Sequence, residues 1–362
     1  MNKTKFHKHA VSDVVRVTNL AAVTDREIWQ TLVTPMVKCF LGPIKSCQVR
    51  LMETEKGLFP GDEVSNLNDH RLFGGQTGYL RFPYLHTLYK TENGAFIVKR
   101  DGVKFEAFGW FGDVMKGKGE LIFKAALRDR RYDGTRDAND SALVDFPYDD
   151  PVLNKRLPID ARTVELSVYG FLPGSRIVDA TADKEFDLFV EKPFTFLDRP
   201  ELFLKLFKRA WDSKRAPGQN AAPIPDVSRL ISPLFDKIAG RRGYDILEIC
   251  PSHYHVAMWA LALGYKITDA EEAKVMAALT EGIARIKASG IPLTRPQESW
   301  VCVLQSLPKE MIPPELYLGG VKWPQDNIGP QNLWMHKAIS EKGKQLLSEL
   351  GQGTGKDPGN KQ

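Results

Sequence analysis

Cysteine is scarce in this chain, with four among 362 residues, at positions 39, 47, 250 and 302. They form no Cys-x-x-Cys pair and show no zinc-finger spacing, which excludes a disulfide scaffold and fits buried free thiols in a reducing cytosol. Long apolar runs are missing too. The best candidate, residues 256–263, stops at Gly264, well short of the roughly 20 residues that cross a bilayer. The basic opening, Met1 to His9, is not followed by an apolar core and a small-residue cleavage site, so export is not expected. No solenoid or propeller repeat is present.

Several motifs are absent. No Gly-Lys-Ser/Thr closes a glycine loop and no G-x-G-x-x-G occurs, which argues against a nucleotide hydrolase and a dinucleotide enzyme. No G-x-S-x-G elbow and no H-E-x-x-H is found. Charge of one sign is nearly absent as an excess, with Lys and Arg numbering 50 against 45 Asp and Glu. The distribution carries more information. Residues 71–136 and 205–242 are basic, while 53–69 and 137–150 are acidic, and such blocks attract a polyanion locally.

What is present reads as an α+β protein, mainly antiparallel and β-rich in its N-terminal part and helical in its C-terminal part. The expected organisation is a β-rich domain over residues 1–197 with a basic, aromatic surface, a mainly helical domain over 198–350, and a disordered tail over 351–362. Residues 11–23 alternate as a first strand, and Thr24 opens a capping box for a short helix. Residues 45–52 predict a second strand. Asp101-Gly102, between 96–100 and 103–108, predicts a two-residue hairpin turn, and Asn93-Gly94 turns the chain into it. Leu121, Phe123, Ala125 and Leu127 predict one face of a further strand. Residues 128–160 form a polar, aspartate-rich loop. Strands are predicted over 163–172 and 186–191.

Beyond Asp198 the apolar period becomes helical. Pro200 sits in a first turn, and Leu202, Phe203, Leu206, Phe207 and Trp211 form a stripe. Further helices are predicted over 227–239 ending at Gly240, from a Ser252 cap to Gly264, and from the box Thr268-Asp269-Ala270-Glu271 to Gly290. A buried strand is expected over 244–250, another over 300–304, and a last helix over 334–350.

The stretch His70 to His86 concentrates chemistry. Glycines 74, 75 and 78 form a turn flanked by cations and aromatic rings, able to present amides and planar side chains to a ligand. Interleaved aromatic and basic residues continue to Arg136. Arg71, Arg81, Lys99, Arg100 and Lys104 are the candidate phosphate contacts, and Tyr79, Tyr84, Phe108 and Trp110 the candidate stacking rings. The segment from Gly74 to Arg81 is loosely similar to the glycine-rich loop of the RNA-binding backbone proteins of CRISPR complexes. That similarity spans less than a tenth of the chain and lacks the usual second glycine before Leu-x-Arg, so no family membership follows from it.

Other constellations read more plainly. The helices flanking 264–268 form a helical hairpin and not a groove-reading pair, because the second opens with Asp269, Glu271 and Glu272 where phosphate would lie. Glu248, Cys250, His253 and His255 carry donor chemistry, yet histidines two apart on a helix point in different directions, so a capping or packing histidine is expected and no metal. No cofactor is expected either. The reading is therefore a non-catalytic, nucleic-acid-binding subunit of a larger cytoplasmic assembly, with a single strand of RNA or DNA and other protein subunits as partners and no membrane. A second reading is an enzyme for a small or phosphorylated substrate, using His70 or His86. A third is an assembly scaffold, anchored through Tyr317, Trp323 and Trp334.

Overall fold

A computed structural model describes residues 39–52, 84–100, 104–129, 162–170, 172–174, 183–213, 215–219, 224, 227–324 and 333–353. The expected strand at 11–23 and the helix after Thr24 lie outside them. The fold is α+β, with strands concentrated in the N-terminal half and helices in the C-terminal half. It comprises two compact units. Unit 1 holds residues 1–174, 223–248 and 338–344, and unit 2 holds 175–222, 249–337 and 345–362.

Unit 1 is built on an antiparallel meander: β1 (Ile44–Met52), β2 (Tyr84–Thr91), β3 (Gly94–Arg100), β4 (Lys104–Asp113), β5 (Lys118–Asp129) and β6 (Thr163–Gly170). Each strand pairs with its sequence neighbours, as short connections favour. β7 (Ile246–Ile249) then adds to β6 in parallel, with Thr163 opposite Ile246 and Glu165 opposite Glu248. The sheet is apolar on both faces through its centre. Phe96, Val98, Phe105, Ala107, Phe123 and Ala125 are buried, and so is the cluster of Leu88, Ala95, Ile97, Phe108, Trp110 and Val114.

The β3–β4 hairpin forms where expected, in a different register. Arg100 is opposite Phe105, where a two-residue turn at Asp101-Gly102 would set it opposite Val103; residues 101–103 themselves lie outside the described residues. A slip of two keeps every side chain on its face, so burial could not discriminate between the two pairings. The β2–β3 turn likewise falls on Glu92-Asn93, before Gly94. Gly94 is confined by its neighbour, since a Cβ there would meet the Trp110 carbonyl oxygen at 1.9 Å. Between Gly109 and Trp110 of β4 the register with β5 shifts, because Ile122 of β5 is an extra residue between Phe123 and Leu121.

Asp245 fastens the far side of unit 1. Its carboxylate accepts the Ser340 hydroxyl at 2.6 Å and the Arg162 amide at 3.3 Å, and its carbonyl takes the Ile339 amide at 2.9 Å. A helix of this unit, which follows two helices of unit 2 in the chain, runs from Val227 to Arg241 and passes through Gly240 without ending there.

Unit 2 is helical. α1 (Lys184–Glu191) replaces the strand expected at 186–191. The reason is local: Asp183 caps it by accepting the Phe186 amide at 3.0 Å, and Phe186, Phe189 and Val190 turn inward at helical spacing while Leu188 faces solvent. α2 (Pro200–Ser213) buries Phe203, Leu206, Phe207 and Ala210. With the unit 1 helix as α3 (Val227–Arg241), the chain continues through α4 (Tyr254–Ala262), α5 (Ala270–Ala288) and α6 (Arg295–Leu304). The expected strand at 300–304 is the end of α6. A run of Trp, Val, Cys, Val and Leu has strand composition, but Gln297 reaches back to the Thr294 amide at 2.9 Å and starts a helix buried all round at its C-terminal end.

α4 is capped at His253 and not at Ser252, without a side-chain cap bond. A two-residue strand β8 (Lys266–Ile267) lies between α4 and α5, where a plain helical hairpin was expected. It pairs with β9 (Met335–Ala338), so the expected helix at 334–350 is a strand followed by α7 (Glu341–Gly353). α7 runs three residues into the expected tail, and the rest of that tail lies outside the described residues. The unit 2 core is aromatic. Phe189 meets Phe196 and Phe203 edge-on at 5.4 and 5.1 Å, and Trp300 lies against both Phe189 and Phe207. None of the four cysteines is in a disulfide, but the expectation that they are buried holds for Cys302 alone, because Cys39, Cys47 and Cys250 sit at surface positions.

Candidate nucleic-acid interface

A meander sends alternate connections to opposite ends of its sheet. In unit 1 the β1–β2, β3–β4 and β5–β6 connections all leave from one end, marked by Met52, Tyr84, Arg100, Lys104, Asp129 and Thr163. Residues 53–83, 101–103 and 130–161 therefore start and finish there. The other end is closed by Glu92-Asn93 and by a 3-10 turn, Val114–Lys116. Backbone bonds tie it down: the Asn93 carbonyl accepts the Gly112 amide at 2.7 Å, and the Leu41 carbonyl accepts the Asn93 amide at 2.9 Å.

The sequence-predicted contacts divide accordingly. Arg71, Tyr79 and Arg81 lie outside the described residues, within the β1–β2 connection. Tyr84 is the first residue of β2, Lys99 and Arg100 are the last two of β3, and Lys104 is the first of β4. These four are gathered at one end of adjoining strands, roughly 5 Å apart from strand to strand. Phe108 and Trp110 are not among them. Phe108 has no exposed surface and Trp110 retains 7%; the two rings stack at 5.6 Å inside the core cluster, roughly 13 and 20 Å along β4 from Lys104.

The register adds cations that sequence reasoning did not single out. Arg128 is opposite Lys104, and Arg50 is opposite His86, which is itself opposite Lys99. The run Arg128, Arg130, Arg131 was the available signal. Two acids close the same row, since Arg128 faces Glu165 and Glu165 faces Glu248, and both glutamates are buried.

No family model, curated protein or solved structure matches this chain. No helix among the described residues is long and apolar enough to cross a membrane.

The histidines of unit 2 form the other concentration of chemistry. His253 precedes α4 in extended conformation, so the ring does not diverge from that of His255 as two helical positions would. The two rings lie 6.1 Å apart and 8° from parallel. Phe194 also stacks on His253, with ring centroids 6.0 Å apart. His255 Nδ1 is 3.0 Å from the hydroxyl of buried Ser299, and Arg295 donates to the His255 carbonyl at 2.8 Å. Burial, followed by the Arg295 charge, pushes His255 down to about 4. Such a ring does not hold a proton taken from serine at neutral pH, and Ser299 is sealed from substrate, so the pair is not a nucleophile and base. No group of three or more metal-ligating side chains occurs among the described residues.

Of the residues weighed as scaffold anchors, Trp323 is buried while Tyr317 and Trp334 are half-buried. Trp323 is buried edge-on against Tyr254 at 6.4 Å, and the Trp334 amide donates to Glu272. Lys309 lies over the Tyr317 ring at 5.3 Å.

Proposed function

We propose that this chain is a nucleic-acid-binding, non-catalytic subunit of a larger cytoplasmic assembly, and that it holds a single strand of RNA or DNA at the connection-bearing end of the unit 1 sheet. One observation carries the reading: the meander brings the strand-end cations Lys99, Arg100, Lys104 and Arg128 to the end from which the Arg71 to Arg81 segment departs. Clustered cations on a rigid sheet edge neutralise phosphate, and Tyr79 and Tyr84 supply rings for unstacked bases. Phe108 and Trp110 take no part, because the core uses their rings.

A single strand suits the site better than a duplex. The α5 N-terminus, the element a groove-reading protein would insert, presents Glu271 and Glu272, which repel phosphate. The acids of residues 53–69 and 137–150 belong to the connections that start and finish at this sheet end, and in this reading they limit how much backbone can settle there.

The test is fluorescence anisotropy of labelled single-stranded RNA, single-stranded DNA and duplex DNA, using protein stripped of nucleic acid, over a salt series. The expected result is single-strand binding whose log affinity falls linearly with log salt, by about 0.7 per phosphate neutralised. No binding at low salt overturns the reading and moves the weight to an enzyme using His70 or His86 at the same end.

A further inference from the structure

His253 is 3% exposed, and its Nδ1 is buried with no hydrogen-bond partner. A buried imidazole nitrogen without a partner is rare, because its desolvation is not repaid. The ring is also closely confined. A Cβ at Gly218, where φ is +76°, would come within 2.8 Å of its edge, and the Gly218 amide is bonded to the Val190 carbonyl. Thus three segments meet on one ring: the 3-10 turn Pro193–Phe196 through Phe194, the 215–219 turn through Gly218, and the start of α4.

We propose that the His253–His255 stack is an acid-sensitive latch within unit 2, closed by two neutral rings and opened when each ring takes a proton. The proposal does not depend on the nucleic-acid reading. Among the described residues, the groups placed against the pair bring no free negative charge to balance a proton on each ring. The 3-10 turn offers Phe194 and the 215–219 turn offers Gly218. From α6 come the Ser299 hydroxyl and the Arg295 guanidinium, which carries the same sign as an imidazolium. Glu298, on the same helix, is engaged by Lys287 at 2.8 Å, and burial keeps the Cys302 thiol protonated. On α4 itself, the Tyr254 hydroxyl is turned to Thr280. Two imidazolium rings 6.1 Å apart would also repel each other.

Burial depresses both histidines below their ordinary value, His253 further lowered by His255. The opened state therefore binds more protons than the closed one. The latch is indifferent to pH above about 6.5 and loosens as pH falls below it, by about tenfold per pH unit for each ring.

Hydrogen exchange of the α4 amides in the full chain, corrected for intrinsic pH dependence, reads the opening constant. Between pH 6.5 and about 4.5 it is expected to rise with a limiting steepness of about a hundredfold per pH unit, and of about tenfold in either His253→Gln or His255→Gln. A flat profile in the wild type, or wild-type steepness in both variants, overturns the proposal. NMR titration of the native protein gives a readout that needs no variant. Both ring signals should stay in the neutral form at pH 5.5, and a native ring titrating near 6.5 overturns the proposal equally.

Discussion

Phe189 lies flat against Trp300, with ring centroids 5.2 Å apart and planes 7° from parallel. This contact joins α1 to α6, the two helices whose sequences look most like strands. The indole also donates to the Arg215 carbonyl, fixing the 215–219 turn, and its edge meets Phe207. Trp300→Ala removes all three contacts at a site with no exposed surface. The expected loss is about 3–5 kcal/mol of stability, read by chemical denaturation. Trp300→Phe keeps the stack and should lose less.

Asp245 is the corresponding point in unit 1. Asp245→Ala leaves the Arg162 amide and the Ser340 hydroxyl without their acceptor, and should cost about 1–3 kcal/mol. Ser340→Ala keeps the Arg162 contact but removes both the bond to Asp245 and the hydroxyl that accepts the Gly343 amide at 2.9 Å, and should cost about 0.5–2 kcal/mol. The same denaturation series separates the two variants.

Arg100→Ala with Lys104→Ala should weaken single-strand binding and reduce the salt slope by about 1.4, corresponding to two phosphates. Lys116 lies at the closed end of the sheet, paired with Asp113 at 2.9 Å, so Lys116→Ala should change neither quantity. Equal effects from the two sets would show that the attraction is a diffuse property of the surface and not of one sheet end.

Asp183 accepts the Phe186 amide and is paired with Arg209, and both interactions hold its carboxyl below the ordinary value near 3.8, the amide bond most strongly. A depressed acid stabilises the fold above its unfolded value and loses that contribution as pH falls through its folded value. Asp183→Asn keeps the cap and removes the charge. It should lower stability by less than about 1 kcal/mol at pH 7, since the group is partly exposed, and narrow the gap to wild type on acidification below pH 4. Thermal unfolding across pH 2.5 to 7 checks this.

Much of the architecture was legible because period and burial agree. The strands around Phe96 and Phe123 and the helix carrying Phe203 and Phe207 follow directly from side-chain spacing. Segments 186–191 and 300–304 misled because both are short and apolar, and in short windows a helix buried on several sides resembles a strand. Their caps, Asp183 and Thr294, were the overlooked signals. In the candidate interface, the residue types were readable but their convergence was not. Lys104 and Arg128 are 24 positions apart, and only the β4–β5 register makes them neighbours. Phe108 and Trp110 shared the composition of a stacking surface, yet a strand covered on both faces has no surface to offer.

The meander also decides where this chain can change length. At the end tied by Asn93, Leu41 and Gly112, each backbone bond counts residues, and one added amino acid breaks the count. At the opposite end the strands are joined across 31 residues (53–83) and 32 residues (130–161), lengths at which one added residue changes the closure cost very little. A peptide tag or a photocrosslinking residue inserted at 137–150 should therefore report on whatever the sheet end touches while the ladder stays paired. The same insertion at residue 93 should unravel it.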